Sequence, residues 1–131
     1  LEDVDRQQAA LVPDDPAEAQ AMLSMTLAQL EDRSSRRVLE RLVGAWERGD
    51  LDTLADYERW CECAAGDEER AFMRRLNDER NPHLADGIAA LHGAGRRVFA
   101  AVGALHMTGP QALPALLAAR GFRVERIAFA R

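Results

Sequence analysis

The reading of the fold turns on one stretch, Arg97-Val98-Phe99-Ala100-Ala101-Val102-Gly103-Ala104-Leu105-His106-Met107-Thr108-Gly109-Pro110-Gln111. Residues 97–103 form a nearly continuous apolar run, which predicts a short strand buried on both faces. Thr108-Gly109-Pro110-Gln111 has the spacing of a capping box and predicts a helix with Leu113, Leu116 and Leu117 turned inward. Gly121 ends that helix, and Phe122, Val124, Ile127 and Phe129 predict a second strand. Strand, helix and strand with short loops make a β-α-β unit over 96–131, hence a parallel pair.

Upstream, residues 1–95 read as helical. Glu2 to Leu11 predicts a short helix stopped by Val12-Pro13. Asp15-Pro16-Ala17-Glu18 predicts a helix start, with Asp15 as N-cap, Pro16 in the first turn and Glu18 as the reciprocal cap. Val38, Leu39, Leu42, Val43 and Trp46 carry an apolar stripe that stops at Gly49, and Asp50 opens the next helix. Asn81-Pro82 is a further helix start, followed by Leu84, Ile88 and Leu91. The class is therefore α/β and helix-rich. A buried parallel sheet needs more than two strands. The pattern implies a larger parallel or mixed sheet, completed by an N-terminal half missing from this chain or by a second chain. Leu1 at the start reads as a cut rather than a processed terminus.

The chain has 131 residues, enough for one domain with a core. Its net charge of −5 lacks the basic footprint of a nucleic-acid binder. No apolar run approaches the roughly 20 residues of a membrane helix. Cys61 and Cys63 stand two apart, too few for a zinc site and a spacing at which a disulfide needs strained geometry. They read as a partly buried Cys61 and an incidental Cys63.

His106 falls just past the carboxyl end of the expected strand, where open α/β sheets collect their ligands. Gly103 before it permits close backbone approach. The imidazole there is either a metal ligand or acid–base group, or a loop histidine bonded to a carbonyl. Arg80 and Asn81 offer two readings as well. They are an anion or oxyanion pair at a helix N-terminus, or a solvated arginine beside an ordinary N-cap asparagine. His83 and His92 read as surface residues.

These residues resemble a known family. Arg80-Asn81, then 98–109 with Gly103-x-x-His106 and Gly109, then Leu116-Leu117 and Gly121-Phe122-Arg123-Val124, are similar to the C-terminal part of the TraB/GumN family. That family is related to the Tiki membrane-anchored proteases. Leu1-Glu2 with Gln7-Gln8, and Ala45-Trp46-Glu47-Arg48-Gly49-Asp50, resemble two of its upstream segments, with Asp3 in place of the usual Thr. The resemblance spans nearly the whole chain and implies a portion of a metal-dependent hydrolase, a peptidase, using manganese or cobalt. The alternative it implies is a non-catalytic protein that binds or sequesters a peptide pheromone. It makes His106 and Glu2 candidate metal ligands or bases, Arg80 and Asn81 candidate substrate contacts, and Gly103 and Gly109 shapers of the cofactor loop. It further implies a bacterial protein that is exported or periplasmic. The family's first Gly-x-x-His has no counterpart in this sequence.

Overall fold

A computed structural model of the chain describes residues 1–64 and 66–128. Helices α1 (Val4–Leu11), α2 (Pro16–Glu31), α3 (Ser34–Arg48), α4 (Leu51–Ala55), α5 (Tyr57–Trp60), α6 (Asp67–Leu76), α7 (Asn81–Gly93) and α8 (Leu113–Ala119) follow in order. A single 3₁₀ turn, Ala104–Met107, stands between α7 and α8.

Short acidic side chains start several of these helices. Asp3 accepts from the Arg6 amide at 2.8 Å, Asp15 from Ala17 at 2.9 Å and Asp50 from Thr53 at 3.0 Å, each satisfying an orphan N–H of a first turn. Gly49 closes α3 in the left-handed conformation, φ 63°, which an L side chain disfavours. Glu18, expected as a reciprocal cap, instead pairs with Arg75 of α6 and ties α2 to that helix.

The β-α-β unit is corrected. Of the described residues 65% are helical, and no strand occurs among them. Residues 96–103 and 122–128 run without regular structure, and Phe99 and Ile127 stand 93% and 83% exposed. Phe129, part of the expected second strand, lies outside the described residues. An apolar run becomes a strand only when a neighbour takes up its N–H and C=O groups, and neither segment has a ladder partner among the described residues. Among the described residues the expected sheet, parallel or mixed, has no strand to build on.

Helix-on-helix packing supplies the core instead. Leu84 and Ala85 of α7 and Leu113 of α8 are 4%, 0% and 2% exposed, with Val102, Leu116 and Leu117 against them. Helix α8 starts at Leu113, later than the expected Thr108 cap, because Thr108 turns its hydroxyl to the Leu105 carbonyl. Leu113→Ala would leave a cavity where α8 seats on α7 and is expected to cost roughly 2–4 kcal/mol, read as a lowered urea midpoint at constant slope. An unchanged midpoint would mean that α8 is held from elsewhere.

Cys61 and Cys63 are joined in a disulfide, which corrects their reading as an isolated buried thiol and an incidental one. Among the described residues no helix is long and apolar enough to cross a membrane.

Candidate functional site

Asn81 is the first residue of α7, yet its side chain does not cap the helix. It is fully buried, and its Nδ2 donates to two carbonyls, His106 O at 3.2 Å and Gln111 O at 2.8 Å. Both amide hydrogens are thereby used on either side of the 3₁₀ turn. This fixes the amide orientation, so Oδ1 is the atom that faces His106 Nδ1 at 2.7 Å. A carbonyl oxygen only accepts, so Nδ1 carries the proton. The neutral ring therefore keeps its lone pair on Nε2, for which no hydrogen-bond partner occurs among the described residues.

His106 is 9% exposed, and burial is the main cause that pushes its pKa below the ordinary 6.5. The nearby Arg80 charge lowers it further, while Glu2 and Asp78 act in the opposite sense. The imidazole is thus neutral at pH 7, with its free nitrogen ready to accept a proton or a cation.

Arg80 immediately precedes α7. Its Nε donates to Glu2 Oε1 at 3.0 Å, its Nη2 to Glu2 Oε2, and its Nη1 to Leu76 O at 3.1 Å. The two side chains of the pair are only 14% and 11% exposed, so the fork-to-fork geometry is shielded from solvent screening. The hydrogen bonds from Arg80 hold the Glu2 carboxyl below the ordinary 4.5, against the opposing effect of burial. Glu2, Arg80, Gly103 and His106 line one pocket of about 480 Å³, together with Leu1, Gln7 and Phe99.

The sequence-predicted residues therefore separate. Glu2, Arg80, Gly103 and His106 share the pocket, and Asn81 stands behind it. Gly109 does not join them: with φ 86° it shapes the turn after His106, and it faces Asp78. Gly103 has an ordinary φ of −62°, and a β-carbon there would make only normal contact with the His106 ring, so its gain is space over that ring. His92 stands edge-on to Phe122, at 5.1 Å between ring centroids. Asp78 had no sequence signal. It is a half-buried carboxyl raised above its usual range, chiefly by burial, with no hydrogen bond or ion pair among the described residues.

A model of the TraB/PrgY/gumN family matches residues 1–126. The chain belongs to that family. No match was found among curated proteins, and none among solved structures. In this TraB/PrgY/gumN chain, then, the match runs from the Glu2 segment through the Arg80-Asn81 step to the Gly103-x-x-His106 turn, and beyond it to residue 126.

The shifts at this site have a pH consequence. The folded pKa of His106 lies below its unfolded value, so on acidification the unfolded chain takes up a proton first. Stability is complete above about pH 6.5 and falls as pH drops through the window below that value. Glu2, also depressed, adds a second loss below about pH 4.5, which the raised Asp78 partly offsets. Urea midpoints from pH 8 to 3 are expected to fall in two steps, with His106→Ala abolishing the upper step and Glu2→Gln shrinking the lower, to which the lowered Asp32 and Asp50 carboxyls also contribute. An upper step that survives in the His106 variant would place the titration elsewhere.

Proposed function

We propose that this site is the working part of a hydrolase, a peptidase, in which His106 acts as general base through Nε2. The observation that supports this most is the tautomer: two carbonyls occupy the Asn81 amide, Asn81 holds the Nδ1 proton, and Nε2 is left free in the pocket.

Manganese or cobalt has to be tested against the donors present. His106 Nε2 is a suitable ligand, since its other nitrogen is oriented by an oxygen acceptor. Glu2 is a poor one as it stands, with both oxygens engaged by Arg80. No group of three His, Cys, Asp or Glu residues that could hold a metal occurs among the described residues. The residues described do not make a three-ligand shell, and the chemistry below uses the side chains alone.

A water lying between Nε2 and a peptide carbonyl gives its proton to the ring as the oxygen attacks. The imidazolium that forms gains from the Glu2 charge and from its Nδ1 bond to Asn81. Arg80 spends three of its five N–H groups on Glu2 and Leu76, and the other two are available to the developing oxyanion. Asn81 has no free hydrogen and is a positioning residue.

The test is product formation: a mixture of defined peptides is incubated with the full chain, with and without Mn²⁺ or Co²⁺, and analysed by mass spectrometry. Cleavage at defined bonds supports the reading. Bound but intact peptides would support the second one, a peptide-binding or pheromone-sequestering protein. The mutual neutralisation of Glu2 and Arg80 favours that reading, because it leaves little uncompensated charge for catalysis.

A further inference from the structure

The Cys61–Cys63 disulfide spans a single residue, and that residue, Glu62, is held at φ 57°. A β-carbon disfavours this left-handed region. Two other helices make contacts with Glu62. Gln29 of α2 donates its Nε2 to the Glu62 carbonyl at 3.0 Å, and Arg37 of α3 lies 3.5 Å from the Glu62 carboxylate. The two sulfurs differ in access. Cys61 is 1% exposed and its Sγ accepts the Cys63 amide at 3.1 Å, whereas Cys63 is only partly buried. Neither cysteine contributes to the His106 pocket.

We propose that Cys61–Cys63 is a redox site for small dithiols, and that opening it releases Glu62 and so loosens α2 and α3 from the 61–64 loop. A thiolate of the dithiol attacks Cys63 Sγ, the more accessible sulfur. The protein S–S bond breaks, and Cys61 leaves with the electron pair, met by the Cys63 N–H and then protonated from water. The second thiol attacks the mixed disulfide and loses its proton to solvent. Cys63 leaves as a thiolate and is protonated, and the reagent departs as its cyclic disulfide. Two electrons pass to the protein, and the atoms balance. Once the ring is open, Glu62 relaxes to an ordinary backbone conformation and carries away the carbonyl that Gln29 holds.

The experiment compares the full chain before and after dithiothreitol, with mass spectrometry confirming the gain of two hydrogens and amide exchange read along α2 and α3. The expected result is about a fivefold faster exchange at the C-terminal end of α2 and the start of α3 after reduction. The double variant Cys61→Ser, Cys63→Ser should match the reduced protein and ignore the reagent. Glu62→Gly keeps both cysteines and lets the backbone hold a positive φ unaided, so reduction should change its exchange far less. Confirmed reduction with unchanged exchange, refusal of the disulfide to be reduced, or a Glu62→Gly chain that responds like the wild type would each overturn the proposal.

Discussion

Asn81→Ala is expected to lower the stability of the chain by roughly 3–4 kcal/mol, the largest loss from any single side chain of the site. The residue is fully buried and contributes little apolar area, so packing is not the source of that figure. The source is what it leaves behind. Truncation strands the His106 carbonyl, the Gln111 carbonyl and the His106 Nδ1–H together, and a buried unsatisfied group costs about 1–3 kcal/mol. Water entering the vacated volume recovers part of the sum, which keeps the figure below simple addition. Asn81→Asp has nearly the same shape and is the sharper comparison. Its second oxygen would face two carbonyl oxygens, and its charge would raise the His106 pKa. Urea unfolding measures the cost, and ¹⁵N shifts of the imidazole report the tautomer, Nδ1-protonated in the wild type and lost in the alanine variant. A loss under about 1 kcal/mol, or an Nε2-protonated ring in the wild type, would overturn the account of the site.

Much of the helical scaffold is legible because its signals are local. Asp15, Gly49 and Asp50 act within a turn of where they stand, and the sequence reading places those helix boundaries. The 97–103 run misleads for the opposite reason. An apolar run reports only that a segment prefers to avoid water; whether it becomes a strand depends on partners far along the chain, and among the described residues this run has no ladder partner. Asn81 is legible as the start of α7 but not in its use, since the amide that suits an N-cap equally suits a clamp on two distant carbonyls. The Glu2–Arg80 pair joins residues 78 apart, beyond any spacing rule, and Glu2 entered the sequence reading only through a family resemblance. The disulfide across Glu62 runs against the expectation from spacing because its cost falls on one left-handed residue that two neighbouring helices hold.

His106→Ala is expected to reduce peptide cleavage by about 10²–10⁴-fold, the contribution of a positioned general base. Loss of activity alone would not separate a base from a structural residue, because His106 also holds the buried end of the Asn81 clamp. The pH profile does. If neutral His106 is the base, activity falls on the acid side with a midpoint below the ordinary 6.5, where burial and Arg80 have moved the ring. The neighbours then predict the direction of further movement. Glu2 raises the His106 pKa, so Glu2→Gln should shift the acid limb to still lower pH. Arg80 lowers it, so Arg80→Gln should shift the limb upward. Opposite displacements from the two ends of one ion pair are hard to obtain from misfolding, which would depress activity at every pH alike. A limb that stays in place in both variants, with cleavage retained in His106→Ala, would remove His106 from the chemistry and leave the pocket as a binding site.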